Sequence, residues 1–392
     1  MKGESAIEDI PILQVMHLIK HFPVHGGIFL RKQGVVHAVD DVSFDVRKGQ
    51  TLGLVGESGC GKTTLGRCIM GLYPLSGGSV KLHGQNITGA TGKKLKSFRL
   101  RMQMIFQDPF ESLNSRHTVG EILEEKYIIH NRLSNDIRGS GNSSSRRREI
   151  VKLLDRVGLS EQAITRFPHE FSGGQRQRIG IARAISLEPE VLICDEPVSA
   201  LDVSVQSQIL NLMLTLQKDM GLTSVFISHD LAVVRHVSDH IAVMYLGKIV
   251  EMADAGKIYD HPMHPYTKAL LSAVPVADPK STRERIILKG EVPSPLNPPE
   301  GCRFHTRCEY VMDICKHQEP RLEPSEAVIL KYSSELLNSD NESLNVVKDS
   351  LDAVKDSLDI VKESLKYTGN SNSNSTHHLV ACHLYHEKEV KR

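Results

Sequence analysis

Tryptophan is absent from the 392-residue chain and aromatics make up only 5% of it, which leaves little material for stacking single-stranded bases. No apolar run reaches the roughly eighteen residues of a membrane-spanning helix, and the start, Met1-Lys2-Gly3-Glu4-Ser5, lacks the apolar core of a secretory signal. The expectation is a chain kept in the cytosol. An excess of one charge is also missing: 48 Lys plus Arg against 47 Asp plus Glu leave +1. No bulk field draws nucleic acid or an anionic membrane, so partners must be met through specific patches, and no nucleic-acid partner is expected. Seven cysteines, an odd number in a cytosolic setting, argue against a disulfide framework. Cys60, Cys68 and Cys194 stand in apolar or glycine-rich surroundings, whereas Cys302, Cys308, Cys315 and Cys382 crowd the last quarter and suit metal or iron–sulfur ligation.

At this length a full-sized catalytic core plus a smaller appendage is the natural organisation. Residues 12–20 and 35–46, rich in β-branched and apolar side chains, read as strands. The short apolar runs 51–55, 191–194 and 223–228 read as buried strands, the latter two each preceded by a helix-like stretch. Such alternation implies an α/β fold with a largely parallel sheet. Three segments break the pattern. Residues 131–148, rich in Ser, Gly and Arg, read as a flexible surface insertion, and the proline-rich 274–300 as an extended domain boundary. A heptad repeat over 343–367 places Leu344, Val347, Leu351, Val354, Leu358, Val361 and Leu365 on one helical stripe, either lying on its own domain or pairing as a coiled coil. The Asn/Ser tract 370–378 beside it is expected to be disordered.

Chemistry concentrates between residues 56 and 229. Gly56-Glu57-Ser58-Gly59-Cys60-Gly61-Lys62-Thr63-Thr64 follows a predicted strand and opens an apolar helix, the context that makes G-x-x-x-x-G-K-T a phosphate loop. Its glycines let backbone N–H groups curl around phosphate oxygens, Lys62 would neutralise the β and γ phosphates, and Thr63 would place its hydroxyl on Mg²⁺. The run 191–194 ends in Asp195-Glu196, two carboxylates where α/β sheets keep their ligands. Asp195 would orient water on magnesium and Glu196 polarise the attacking water. Ser172-Gly173-Gly174-Gln175 opens a further helix with exposed N–H donors, a second anion site in the same chain.

Two phosphate sites for one nucleotide find their reason in a resemblance. Residues 10–270 resemble the ATP-binding cassette family, in which two ATPase domains face head to tail and each signature, here Ser172 to Gln175, closes over the ATP of the other. The resemblance implies a P-loop NTPase fold, with a RecA-like core, an antiparallel β subdomain and a helical subdomain at about 108–185. It also matches Gln107 to the glutamine that senses Mg²⁺ and the attacking water, His229 to the switch histidine at the γ-phosphate, and Asp202 to the loop linking the two sites. Phe22 matches the aromatic that stacks on adenine, with Phe29 as its rival. ATP and Mg²⁺ are the implied cofactors, with Thr63, Gln107 and Asp195 around the metal.

The last third narrows the resemblance. His264-Pro265-Tyr266-Thr267 resembles the element that closes the ATPase domain of oligopeptide, dipeptide and related nickel importers, and Phe106-Gln107-Asp108-Pro109-Phe110 resembles their F-type subunit. This implies an ATPase unit over 1–272, a small Cys-containing domain over 273–392, a D-type ATPase partner or a second copy, two permeases and an extracytoplasmic binding protein. It places the chain at the cytoplasmic face of the membrane. The four late cysteines recur in that group, whose C-terminal domain is similar to modules carrying a [4Fe-4S] cluster; zinc and free thiols are the alternatives. Nickel or another small solute could replace peptide, since the solute never touches this subunit. A soluble ABC ATPase of the ribosome or of DNA repair is the competing class, although such proteins usually join two cassettes or insert a coiled coil within one.

Overall fold

The computed structural model describes residues 11–26, 31–108, 112–130, 142–274, 285–324 and 378–385. In chain order its first strands are β1 (Leu13–Gly26), β2 (Arg31–Val46) and β3 (Thr51–Val55), followed by α1 (Lys62–Ile69), β4 (Gly77–Leu82), β5 (Gln85–Asn86), α2 (Gly92–Arg101) and β6 (Met102–Ile105). Three helices come next, α3 (Val119–Ile129), α4 (Asn142–Arg156) and α5 (Gly173–Ile185). Strands and helices then alternate through β7 (Val191–Asp195), α6 (Val203–Met220), β8 (Thr223–Ser228), α7 (Leu231–Val237), β9 (His240–Tyr245), β10 (Lys248–Asp254), α8 (Ala255–Asp260) and α9 (Pro265–Ser272). The cysteine-bearing stretch adds α10 (Asp313–His317), β11 (Glu323–Pro324) and β12 (Leu379–Val380).

The strands form two sheets, one antiparallel in the order β2-β1-β4-β5 and one of eight strands in the order β11-β12-β10-β9-β3-β8-β7-β6. From β9 to β6 the large sheet is parallel, and every residue of β3, β7 and β8 is buried. Alternation along these strands sends Leu54, Ile193, Ile227 and Met244 into a core shared with β1, β2 and α1. Val55, Cys194, Phe226 and Val243 face the opposite core, filled by Ile122, Leu153, Ile179 and Ile209 of the later helices. Covering both faces explains why these strands are buried throughout and largely apolar.

Two local expectations change. Residues 142–148, expected within a flexible insertion, form the first turns of α4, where Arg146 binds Glu124 at 2.6 Å; residues 131–141 lie outside the described residues. Arginine is a good helix former, and a carboxylate partner on α3 fixes the segment. The cysteine-bearing stretch, expected as a small domain over 273–392, attaches to the ATPase sheet through its described residues: β12 pairs β10 antiparallel, and Phe304 joins the core of the later helices. His378, the end of the tract expected to be disordered, is buried with Nε2 2.7 Å from Glu251. The heptad residues, the rest of that tract, Phe29, Pro109 and Phe110 lie outside the described residues.

Candidate functional site

The carboxyl ends of β3, β8, β7 and β6 lie side by side in the sheet, and each carries part of the site. After β3 the chain turns through residues 56–61 into α1. Gly61 adopts φ +108°, and a Cβ there would meet the Ala38 carbonyl oxygen at 2.1 Å, so only glycine fits. Gly56 is equally confined, 2.1 Å from the Met244 carbonyl oxygen by the same construction. Lys62 is buried, and its ammonium donates to the carbonyls of Gly56 (2.7 Å) and Glu57 (3.1 Å), which anchors it beneath the loop. Ser58 and Gly59 are exposed at the tip; Cys60 is buried, which raises its thiol pKa. Thr64, the third residue of α1, is half-buried.

Thr63 donates its hydroxyl to Asp195 Oδ1 at 2.8 Å, joining the phosphate loop to the end of β7. Asp195 is fully buried, and burial raises its pKa against the opposing Thr63 hydrogen bond and the Arg67 charge. Its Oδ2 is buried without a hydrogen-bond partner. An orphaned carboxylate oxygen beside a threonine hydroxyl is a donor set suited to a hard dication such as magnesium. The next residue, Glu196, sits at φ +46°, a costly conformation for a non-glycine residue. That turn is held by Glu196 N–H donating to the Ile227 carbonyl (3.0 Å) and by Ser199 donating its hydroxyl to the Glu196 carbonyl (3.1 Å). The Glu196 carboxylate receives Gln107 Nε2 at 3.2 Å and lies 3.2 Å from His229 Nδ1. Residues from three strand ends thus meet at one carboxylate, with His229 and Gln107 exposed to solvent.

The signature stands apart. Ser172 caps α5, accepting from Gln175 N–H at 3.4 Å while Gln175 Oε1 accepts from Ser172 N–H at 3.0 Å. Both residues are exposed, and these bonds close on themselves. Gly174 is confined by Val205 of α6, whose Cγ1 would lie 2.5 Å from an added Cβ. Asp202 is exposed at the start of α6, its carbonyl accepting from Gln206 N–H at 2.8 Å. Phe22, half-buried on β1, packs edge-on to Tyr73 at 5.5 Å with the Lys20 ammonium 4.5 Å from its ring. A groove of about 840 Å³ opens beside Gln107, lined by Met70, Phe106, Lys126, Arg183 and Ala200 among others. Burial holds the Lys126 ammonium there down to about 7.

Long-range contacts that the motifs do not announce bind the cysteine-bearing stretch to this site. Gly301, at φ +64°, lets Cys302 N–H reach the Cys315 carbonyl at 2.8 Å. Burial pushes the thiols of Cys302, to about 12, and of Cys308 and Cys382 upward, and the charges of the four cysteines act on one another. Between Cys302 and Cys308, Arg303 pairs with Asp40, and Arg307 forks onto Glu57 of the phosphate loop at 2.8 and 3.2 Å. Asp40 also meets His21 and His37, each at 3.2 Å. The Arg303 guanidinium already on that carboxylate works against a dication there. Tyr266, buried in α9, accepts Glu57 N–H at 2.8 Å. The sequence signal for Tyr266 was its place in His264-Pro265-Tyr266-Thr267, where His264 caps α9 and Pro265 begins it. For Arg307, 250 residues from its partner, no local signal existed.

A phosphate loop, an orphaned carboxylate and a positioned glutamate on a doubly covered parallel sheet define a nucleotide-hydrolysing P-loop protein with the architecture of an ATP-binding cassette. The family profile described as "ABC transporter" matches residues 39–199, and that described as "Oligopeptide/dipeptide transporter, C-terminal region" matches 250–315. Among curated proteins, the chain is 53% identical to the oligopeptide transport ATP-binding protein AppF of Bacillus subtilis, over 81% of this chain and 95% of that one. It is 47% identical to the dipeptide transport ATP-binding protein DppF of Escherichia coli, over 82% and 94%. Among solved structures, CbiO1 of Clostridium perfringens, part of the ABC transporter complex CbiONQ, superposes with TM-score 0.52 at 25% identity, covering 64% of this chain and 91% of that one. The dimeric cassette MJ0796 bound to ADP and Pi shares the fold, with TM-score 0.54 over 62% of this chain and 98% of that one. The chain belongs to the ABC transporter ATP-binding proteins of the oligopeptide/dipeptide type, and it is an ATPase.

Proposed function

We propose that the chain powers import of oligopeptides or dipeptides, as one ATP-hydrolysing subunit at the cytoplasmic face of a membrane transporter. Its ATPase unit occupies 1–272 and its accessory stretch 273–392. The observation that carries the catalytic reading is the meeting of Gln107, Glu196 and His229 at one carboxylate, next to the buried Asp195 and the phosphate loop. The phosphate-loop N–H groups and Lys62 hold the β and γ phosphates. Phe22 stacks on adenine. Thr63, Gln107 and Asp195 hold magnesium, whose positive charge offsets the charge developing on the transferring phosphoryl group. Glu196 accepts a proton from the attacking water, and His229 and Lys62 donate to the γ-phosphate oxygens, so placement and electrostatics supply most of the rate.

Ser172 to Gln175 serve the ATP of a partner ATPase. Exposure of that signature, with its hydrogen bonds turned on itself, supports a head-to-tail pair with a D-type subunit, in which Asp202 communicates between sites. The groove beside Gln107 offers a concave surface to a permease. A separate extracytoplasmic protein delivers the peptide.

A [4Fe-4S] cluster on Cys302, Cys308, Cys315 and Cys382 is our reading of the four thiols. Thiolates are soft ligands suited to an iron–sulfur cluster, and the charges of Cys302, Cys308 and Cys315 all act on Cys382. Anaerobic purification with iron and sulfide analysis tests this, and a colourless, iron-free protein would remove the cluster. The transport reading is tested in membrane vesicles holding the complete transporter. ATP-dependent uptake of a labelled peptide should vanish in Lys62→Ala, and uptake unchanged by that substitution would refute it.

A further inference from the structure

Glu57 is gripped from three directions. Its N–H donates to the Tyr266 hydroxyl at 2.8 Å, its carbonyl accepts the Lys62 ammonium at 3.1 Å, and its carboxylate receives the Arg307 fork at 2.8 and 3.2 Å. The two outer partners rest on one buried aromatic group. Tyr245 lies 4.8 Å from Tyr266 and 5.2 Å from Phe304, with the Arg307 guanidinium 6.0 Å from the Tyr245 ring. Tyr245, Tyr266 and Phe304 are each 1% exposed or less, and the Arg307 side chain only 8%. Phe304 and Arg307 both stand between Cys302 and Cys308, and the Cys302 N–H donates in turn to the Cys315 carbonyl. A continuous packed path therefore runs from the cysteines to the residue that follows the first glycine of the phosphate loop.

We infer that Arg307 and Tyr266 are positioning residues through which the cysteine-bearing stretch sets the affinity of the phosphate loop for ATP. The inference rests on the ATP site proposed above and is independent of what the cysteines bind. Glu57 puts a negative charge beside a loop that must receive a triphosphate. Paired to a buried guanidinium in a bidentate fork, that charge is offset and its direction fixed. Without Arg307 the carboxylate is free to repel the nucleotide and to compete for Lys62, whose ammonium already bonds the Glu57 carbonyl. Any change that shifts Phe304 and Arg307, including a change at the cysteines, then reaches the nucleotide.

Equilibrium binding of a fluorescent ATP analogue to the full-length chain tests this, with Lys62→Ala defining the signal that belongs to the phosphate loop. Arg307→Ala should weaken binding about tenfold, and Arg307→Lys should recover part of it, because a lysine restores charge without the fork. Glu57→Gln removes the charge that Arg307 offsets, so Arg307→Ala in that background should cost less than about threefold. A purely structural role for Arg307 would give the same loss in both backgrounds. Equal losses, or Arg307→Ala binding within about twofold of wild type, would overturn the inference. If Arg307→Ala does not fold, the comparison of Arg307→Lys with and without Glu57→Gln decides by the same criterion. A wild-type chain whose binding ignores Lys62→Ala would refute the reading of the ATP site itself.

Discussion

The nucleotide site and the cysteine-bearing stretch treat polar groups in opposite ways. Around Asp195 and Glu196 part of the polar capacity is left open: one Asp195 oxygen is buried without a partner, Glu196 sits in a costly backbone conformation, and His229 is exposed. Where the cysteine-bearing stretch packs on β10 and the phosphate loop, the charged groups are paired, although Arg307 Nε is buried without a partner. Glu251, fully buried, accepts from the N–H groups of Met263 and His264 at 2.8 and 2.9 Å and meets His378 at 2.7 Å. Arg303 and Arg307 each have a carboxylate partner. An unpaired carboxylate oxygen is free to take a ligand, whereas ion pairs between distant segments hold the chain together.

Substitutions in the two regions should accordingly separate stability from rate. The largest effect belongs to the closed region. Phe304→Ala should lower unfolding free energy by about 3–5 kcal/mol in denaturant titrations, because the ring is 1% exposed among three aromatic neighbours. A loss below about 1 kcal/mol would show that the stretch is only loosely attached. In the open region, His229→Ala should lower the ATPase rate of the assembled transporter about 100-fold or more while leaving the denaturation midpoint nearly unchanged. An equal fall in stability would break the contrast.

A further effect is expected with pH. Burial holds the His264 imidazole at about 4, below its ordinary 6.5, the charges of Glu251 and Lys268 adding opposed contributions. The unfolded chain takes up this proton near pH 6.5, whereas the folded chain resists until about 4. Stability from this group is therefore complete above pH 6.5 and is lost as pH falls towards 4, by on the order of 3 kcal/mol. His264→Asn, which can still accept at the start of α9, should flatten that part of the profile. An unchanged acid slope would point to other groups.

The same contrast decides what could be read from the sequence. The placing of Lys62, Thr63, Asp195, Glu196 and His229 at neighbouring strand ends was legible because the strands before them are short, largely apolar runs. Their convergence was expected from the resemblance, but the hydrogen bonds joining Gln107, Glu196 and His229 needed the sheet order to become visible. The four cysteines were legible as a set, yet not their attachment, since ion pairs such as Arg303 with Asp40 join residues far apart in sequence. Two local readings failed for the same reason. Residues 31–34 show no strand pattern, but β1 pairs with them and carries β2 back to Arg31. Residues 142–148 read as loop by composition, until Glu124 on another helix supplies Arg146 with a partner.

The central claim is that Glu196 drives hydrolysis in a site whose phosphate loop binds ATP without it. Phosphate release and ATP binding measured side by side on Glu196→Gln, assembled with its transport partners, test this directly. The account predicts steady-state release lowered by about 100-fold or more with ATP affinity retained. Turnover close to wild type in that variant would contradict it.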